Sequence, residues 1–574
     1  MNKKILTKAI SIVMGLTMAT SFVACGGGGK KGGIIDDEKT INVRVLKAGY
    51  GDAWIYELKD KFEKVYESEG YKVNILNPSS DMRGSVAMTE LMQGYDKIKV
   101  DLYLSGDLQV EHLGANGDYG VLAEDLGELV WNQKAIGYDG VEEDATIISK
   151  VAPANLTVCR DSNGVLYSMP MMASSAGLVV NIKKLAKYGL ELPRTTNELL
   201  DCFRKIYLGH NGIANSEESK MFPITYVPGV TNGYTQKWVV NMVAQYDFDE
   251  FTELMTMQTT DESGNVTKMT EDGYKVFNYK GIEEMLTVAY EVFDTNIASY
   301  GTAQQTLDQA QAQIMKENGG AVFMANGEWM LNEVKLNYKN QLNDIEFINT
   351  PVLSAVGTRL FGSGTDYNLS DEKCEEILCC IIDAADAGKS VDEIVTAVKT
   401  DCNVDIKKED AEEAAIARGT YCDRSLEGVG VVIPKGTPKK DISAKFLRML
   451  ASYDCAATIA KQANSASAYG LNADVTNPYK FVQQSIAVRM HKYANVYLDT
   501  VQGYRKRLQA GSFMALISHV ATEIVGQDIS VYDGEGHLAA GRDYSLYRTS
   551  AQTMQATDYA KAQDMWSTWK QKDK

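Results

Sequence analysis

Near residue 41 apolar and polar residues alternate, and a segment whose apolar residues recur at helical spacing follows. Residues 41–46 read Ile-Asn-Val-Arg-Val-Leu, which alternates as a strand does. Apolar residues then recur at helical spacing at Leu58, Phe62, Val65 and Tyr66. Residues 71–76 and 100–104 predict two more strands. Because strands that alternate with helices form βαβ units, the chain is expected to be an α/β protein with a largely parallel sheet.

Two polar loops directly follow predicted strands. The first is KAGYGDAW at 47–54, in which Asp52 is expected to cap the next helix, and the second is Ser-Gly-Asp at 105–107. Open α/β sheets bind ligands at the carboxyl ends of their strands. Both loops are therefore expected to lie where a ligand binds.

The amino-terminal segment has the order of a secretory signal. Three lysines precede an apolar run over residues 9–24, which is shorter and more polar than the roughly 20 apolar residues needed to cross a bilayer. Residues 22–25, Phe-Val-Ala-Cys, resemble the bacterial lipobox, which implies removal of residues 1–24, lipidation of Cys25 and a glycine-rich tether over 25–40. The alternative is an ordinary signal cut near Ala24, with Cys25 incidental. With the lipobox, the protein is expected at the outer face of the cell membrane.

Length and charge restrict the class of protein. Residues 41–574 are too many for one ordinary core and enough for two large lobes. The net charge of −18 argues against a nucleic-acid partner, since no excess of cations is present to neutralise phosphates. Eight cysteines besides Cys25 are irregularly spaced, and we expect buried free thiols. No metal-ligand spacing is present, and no metal or cofactor is expected.

Several segments, in a fixed order, resemble one family. They are residues 163–206, where Val180-Asn181 replaces the usual Tyr-Asn, GGAVFMANGEW at 319–329, TPVL at 350–353 and residues 428–464. Together they resemble extracellular solute-binding proteins of the maltose-binding type, a family 1-like group. The resemblance implies a two-lobed, periplasmic-binding-protein-like (type II) α/β fold, with TPVL as one of the strands between the lobes.

The resemblance also suggests how the chain divides. Lobe one is expected over 41–170 and 352–440, and lobe two over 171–351 and 441–574. An apparent helical insertion over 359–424 departs from simpler family members.

Within the insertion, DAADAGKSVD superficially resembles a phosphate-binding loop. Asp383 stands where that motif requires its first glycine, and a carboxylate there would repel phosphate. Gly388 is instead expected to end a helix and Ser390 to cap the next.

Enzyme signatures are thin. The five histidines are scattered, and neither HExxH nor GxSxG occurs. A glycosidase needs only two suitably spaced carboxylates, so a surface glycan-acting enzyme remains an alternative.

Sugar sites combine aromatic platforms with a few polar side chains. Trp329, beside Glu328, is the leading candidate because the family often stacks ligand there. Other candidates in loops are Trp54, Tyr50, Asp52, Tyr226, Asn232, Tyr234 and Trp238, with Asp81, Asp107 and Arg359 as polar partners. Trp131, Trp566 and Trp569 are expected to pack in cores.

The resemblance implies a monomeric, lipid-anchored receptor that captures an oligosaccharide between its lobes. It would deliver that sugar to the permease subunits of an ABC importer, with ATP hydrolysed on a separate subunit. A binding protein for peptides or another non-sugar solute is the alternative in the same class.

Overall fold

The computed structural model describes the chain from Gly33 to Gln571, with gaps. The described residues are 33–47, 49–79, 82, 84–106, 108, 110–114, 119–151, 155–156, 158–161, 163–173, 175–210, 221–227, 233–260, 266–269, 271–294, 297–298, 305–423, 430–470, 477–498, 524, 527–533 and 537–571. The predicted signal, Cys25 and most of the tether lie outside them. The end of the tether is held to the body, since the Ile35 N–H donates to Asn42 Oδ1 at 3.0 Å.

The strands, in chain order, are β1 Thr40–Leu46, β2 Lys72–Ser79, β3 Leu102–Ser105, β4 Lys134–Ile136, β5 Glu142–Thr146, β6 Met169–Pro170, β7 Met172–Ala173, β8 Ala176–Asn181, β9 Met221–Thr225, β10 Gln258–Thr260, β11 Val266–Lys268, β12 Gly320–Gly327, β13 Ile345–Ile348, β14 Thr420–Asp423, β15 Gly430–Val432, β16 Ala466–Ser467 and β17 Asn495–Leu498.

The α-helices are α1 Ala53–Val65, α2 Gly84–Leu91, α3 Tyr95–Ile98, α4 Ile182–Ala186, α5 Thr196–His210, α6 Gly233–Tyr246, α7 Phe248–Thr256, α8 Lys280–Val292, α9 Leu307–Met315, α10 Met330–Val334, α11 Ala355–Phe361, α12 Asp371–Asp386, α13 Val391–Asp401, α14 Lys408–Gly419, α15 Lys440–Leu450, α16 Tyr453–Gln462, α17 Lys480–Met490 and α18 Ser545–Gln571. Within the described residues, no helix combines the length and apolar character needed to cross a membrane.

The first sheet contains the three strands predicted from the start of the chain. Its strand order is β2-β1-β3-β15-β6, with β1 parallel to β2 and β3, and with β15 antiparallel to β3 and β6. Asp52 does occupy the N-cap position of α1, but its side chain makes no capping hydrogen bond. Its carboxylate pairs instead with Lys47, Nζ to Oδ2 3.1 Å.

The second sheet has the strand order β13-β8-β12-β9, and its strands β8 and β12 lie within two of the segments that resemble the family. Helix α5 begins at Thr196. The expectation of a strand at residues 350–353 is wrong. Val352 donates a hydrogen bond to the Arg194 carbonyl and accepts one from the Thr196 N–H, which forms a single β-bridge with Thr195. The partner segment enters helix α5 at Thr196, so the pairing cannot extend into a strand.

Buried apolar side chains form two clusters, which we call the first core and the second core. The first core contains the first sheet with α1, α15 and α16, and it also includes one face of the second sheet through Val179, Met324 and Phe347. The second core covers the other face of the second sheet with α5, α6, α8 and α12. Trp131 lies in the first core and Trp566 in the second, as expected, while the Trp569 side chain lies outside the description. Helices α12 to α14 join the second core and α15 joins the first, which differs from the expected division of the chain. The lobe boundaries therefore stay a prediction.

The insertion is helical, as predicted. Helix α12 ends in a turn in which Gly388 has φ +71° and its N–H donates to the Ala385 carbonyl. Ser390 and Glu393 then form a reciprocal capping box on α13. These local bonds explain the DAADAGKSVD sequence as a junction between two helices.

Candidate functional site

The chain passes between the two cores at several points, and a buried polar residue lies at three of them. These residues are Ser175, Glu328 and Asp423. The residues that flank them belong to different cores: Ala173 and Leu178, Ala325 and Trp329, Cys422 and Val431. The boundary between the cores is therefore lined by polar groups.

The Glu328 carboxylate is fully buried at this boundary. It accepts hydrogen bonds from the Ser465 hydroxyl and, at 3.3 Å, from the Ser175 N–H. Burial raises the pKa of Glu328 to about 7, against the lowering effect of nearby Arg489 and of the Ser465 hydrogen bond. A carboxyl group with this pKa titrates near neutral pH.

Arg489, at the end of α17, reaches the same place. Its Nη1 and Nη2 donate to Asp423 Oδ2 at 3.0 and 2.8 Å, and Asn155 Nδ2 donates to the same oxygen at 3.2 Å. Burial opposes the guanidinium charge, but Asp423, Tyr421, Glu328 and Tyr50 together raise the pKa of Arg489. We call Asn155, Ser175, Glu328, Asp423, Ser465 and Arg489 the Glu328 cluster.

The Glu328 cluster has unused hydrogen-bonding capacity. Ser175 Oγ, Asn155 Oδ1 and Arg489 Nε are buried and have no hydrogen-bond partner among the residues that the structure describes. Most buried polar atoms in folded proteins are paired, because leaving one unpaired costs about 1–3 kcal/mol. A ligand that supplies both donors and acceptors would satisfy them.

Trp329 lies beside this cluster, in the turn after β12. Its ring covers Gly327 so closely that a Cβ added there would fall 2.0 Å from a ring carbon, which explains the glycine. The first loop also reaches this turn, since a Cβ added at Gly49 would lie 3.5 Å from Trp329 Cβ and 3.3 Å from Glu333 Oε1. The structure thus brings together two predicted site regions, the turn at Trp329 and the loop that contains Tyr50.

Both aromatic residues are nearly covered. Trp329 is 6% exposed and Tyr50 is 7% exposed. Glu333, next to them, has its pKa raised to about 7 by burial, and it accepts a hydrogen bond from Gln311.

Three other aromatic candidates lie in the cores. Trp54, Tyr226 and Trp238 are each at most 1% exposed. Trp238 and Tyr226 both pack edge-on against Phe293, with ring centroids 6.0 and 5.0 Å apart. In this structure their rings have no surface on which a sugar could stack.

The remaining candidates are either paired elsewhere or not described. Arg359 pairs with Glu413 at 2.5 Å and lies over the Tyr246 ring, with Cζ 5.2 Å from the centroid. Asp81, Asp107 and Asn232 lie outside the described residues, as does the side chain of Tyr234 on α6. Their roles stay predictions.

Sequence reasoning missed most of the Glu328 cluster. No local pattern marks Asn155, Ser175 or Ser465, because their meeting depends on long-range topology. Arg489 did leave a signal. It continues the buried stripe of α17, Phe481, Val482, Ser485 and Ile486, and a charge on such a stripe indicates a buried partner.

Comparison with known proteins shows which protein family the chain belongs to. The model of the family described as bacterial extracellular solute-binding protein matches residues 47–367, more than half of the chain. The chain belongs to that family. No curated protein sequence matches it.

Solved structures of receptors share the fold. A probable secreted solute-binding lipoprotein from Streptomyces coelicolor is 14% identical, with a TM-score of 0.50 over 90% of this chain and 99% of that one. RafE from Streptococcus pneumoniae is 13% identical, with a TM-score of 0.49 over 91% and 98%. A Thermus thermophilus maltotriose-binding protein is also 13% identical, with a TM-score of 0.46 over 91% and 99%. Together with the family match, the Streptomyces coelicolor structure confirms the two-lobed α/β fold class.

No group of three or more histidine, cysteine or acidic side chains is arranged to hold a metal in the part of the chain that the structure describes.

Proposed function

We propose that this solute-binding protein captures a carbohydrate, an oligosaccharide in particular, at the Glu328 cluster. The observation that carries the proposal is the incompletely paired polar cluster at the boundary between the two cores. Sugar hydroxyls both donate and accept, so they match the chemistry of Ser175 Oγ, Asn155 Oδ1 and Arg489 Nε. Trp329 and Tyr50 supply an aromatic surface for the apolar faces of the sugar.

Ligand binding would draw the two lobes together. A ligand shifts a conformational equilibrium only by its differential affinity for the two states. The Glu328 cluster draws Ser175, Glu328 and Asp423 from three different crossings between the cores, so a ligand bound there would contact residues beside both cores. The closed receptor would then dock on the permease of an ABC importer.

Melting of the full chain in the presence of mono- and oligosaccharides tests the cargo. A ligand that binds only the folded state stabilises it by mass action and so raises the melting temperature. At a ligand concentration of a hundred times the Kd, the free energy of unfolding increases by about 2.7 kcal/mol. We expect a rise with one structurally related set of sugars and none with peptides. A rise with peptides alone would keep the receptor and refute the carbohydrate cargo, and release of reducing ends would indicate the glycan-acting enzyme.

The lipid anchor is a separate part of the proposal. Two acyl chains on Cys25 would bury enough methylene groups to hold the receptor at the membrane surface. We expect Cys25→Ala to move the protein from the membrane fraction to the medium without changing its affinity for sugar. Equal partition of wild type and variant would argue for an ordinary cleaved signal.

A further inference from the structure

Helices α12 and α13 of the insertion bring two thiols together. Cys380 lies on α12, and Cys402 is the residue that ends α13. The side chains of both residues line the same surface pocket. The Cys402 thiol also donates to the carbonyl of Glu376, one turn before Cys380, at 3.9 Å. The two thiols therefore lie close together where α12 and α13 meet, and each influences the pKa of the other.

The pair opens on a surface pocket of about 510 Å³. Its lining includes the carboxylates Glu372, Glu375, Glu376, Asp383 and Asp401, the cations Arg194 and Lys389, and the thiols Cys379, Cys380 and Cys402. Carboxylates exceed cations among these residues. A small cationic reagent is therefore attracted to the thiols and an anionic one is repelled.

We propose that Cys380 and Cys402 are a redox pair that forms a reversible disulfide joining α12 to α13. Exported proteins meet an oxidising environment, in which adjacent thiols are oxidised to disulfides. Both residues are free thiols in this structure, so it represents the reduced state.

The reaction balances with a small-molecule disulfide, RSSR, as oxidant. The thiolate of one cysteine attacks RSSR, forms a mixed disulfide and releases one RS⁻. The second cysteine then attacks the protein sulfur of that mixed disulfide and releases the second RS⁻. The two thiol protons end on two molecules of RSH, and the two electrons lost by the cysteines reduce RSSR.

Burial makes this oxidation slow. It raises the pKa of Cys380 to about 12, and the nearby Cys402, Asp401 and Asp383 act in the same direction. Only the thiolate attacks a disulfide, so the rate should increase with pH while the pairing stays the same.

The test is oxidation of the folded full chain with cystamine, a dicationic disulfide. We expect a loss of two titratable thiols, reversed by dithiothreitol, and a rise of a few degrees in melting temperature. Trypsin cleaves after Lys373, Lys389, Lys399 and Lys407, so a non-reducing digest should contain residues 374–389 linked to residues 400–407. Glutathione disulfide, which is anionic, should react several-fold more slowly at low salt.

Variants identify the pair. Cys380→Ser and Cys402→Ser should each abolish the linked peptide, and Cys379→Ser should retain it. Cys202→Ser is the matched control, because Cys202 is also buried and donates to a backbone carbonyl at 3.9 Å. It should still lose two thiols.

Two results would overturn the proposal. One is a folded wild-type chain that keeps every thiol under conditions that oxidise the urea-unfolded chain. The other is a linked peptide that disappears in Cys379→Ser, since Cys379 would then be the partner of Cys402. The first result is measured on the wild-type chain and the second on Cys379→Ser, which retains Cys380 and Cys402.

Discussion

Two buried charged clusters in this protein differ in how completely they are paired. In the first, the Asp101 carboxylate accepts from the Asn42 N–H at 2.8 Å, the Tyr95 hydroxyl at 2.9 Å and the Thr437 hydroxyl at 2.6 Å. It also pairs with Lys439 Nζ at 2.9 Å. This cluster ties β1 to the chain before β3 and to the start of α15, and its carboxylate has no need of a ligand.

The Glu328 cluster has the same kinds of groups and leaves part of them unused. Glu328 accepts hydrogen bonds from the Ser465 hydroxyl and the Ser175 N–H, and the bond from Ser175 is long at 3.3 Å. Three neighbouring polar atoms lack partners within the described residues. A closed network serves stability, whereas an open one stores hydrogen-bonding capacity for a ligand at some cost in stability. The comparison teaches that incomplete pairing, more than burial or charge, separates the proposed binding site from the structural ion cluster.

The largest expected effect is a loss of stability when the fully paired cluster around Asp101 is broken. Lys439→Met leaves the Asp101 charge buried without its cation, which should lower the free energy of unfolding by about 3–5 kcal/mol. Chemical denaturation measures it. Lys435→Met is the control, because Lys435 is half exposed in its 3.0 Å pair with Glu124, and it should cost less than about 1 kcal/mol. Affinity for the sugar should be unchanged in both, and a weaker affinity in Lys439→Met alone would break the comparison.

The Glu328 cluster should make the free energy of unfolding depend on pH. Because the pKa of Glu328 rises from its usual 4.5 to about 7 on folding, the folded state binds more protons than the unfolded state between these values. Stability should therefore fall by about 3 kcal/mol as pH rises from 4.5 to 7, and Glu328→Gln should remove that part.

The measurement is the difference in unfolding free energy between wild type and Glu328→Gln at each pH, which cancels the other carboxylates. Glu333→Gln serves as the comparison, because Glu333 has a similarly raised pKa but lies outside the cluster. Curves for wild type and Glu328→Gln that run parallel would mean that Glu328 is ionised as readily as an exposed carboxylate.

Replacement of two tryptophans should separate the site from the core. Trp329→Ala removes the aromatic surface proposed to contact the sugar, and we expect affinity to fall by about 2 kcal/mol, roughly 30-fold. Trp54→Ala should lower stability through the cavity that it leaves, with the Kd unchanged. Titration calorimetry well below the melting temperature measures both. An unchanged Kd in Trp329→Ala would refute the assignment of Trp329 to the site.

Local patterns predicted much of the fold. The alternation at residues 41–46 and the periodicity that includes Phe62 correspond to β1 and α1, because both arise from which face of an element is buried. The same logic found the helices of the insertion and the Ser390 cap. It failed at residues 350–353, where Val352 forms only a single bridge with Thr195, the residue just before helix α5.

The site was less predictable, for a physical reason. Tyr50 was proposed because its loop follows a strand at the edge where ligands bind, and Trp329 because of the family resemblance. Ser465, Asp423 and Arg489 come from distant parts of the chain, and only the packing of the two cores brings them together. Whether a polar atom has a partner is a property of the fold, and no stretch of sequence carries it.

The most direct measurement compares Ser175→Ala with Thr437→Val, neither of which changes charge. The sugar Kd and the unfolding free energy are measured for each. The account predicts that Ser175→Ala weakens binding by about 1 kcal/mol, roughly five-fold, with stability unchanged or slightly higher, since its hydroxyl has no partner in the described structure. Thr437→Val should lower stability by about 1–2 kcal/mol and leave the Kd unchanged, since it removes a hydrogen bond to a buried carboxylate. The reverse pattern, binding lost with Thr437 and stability lost with Ser175, would contradict the account.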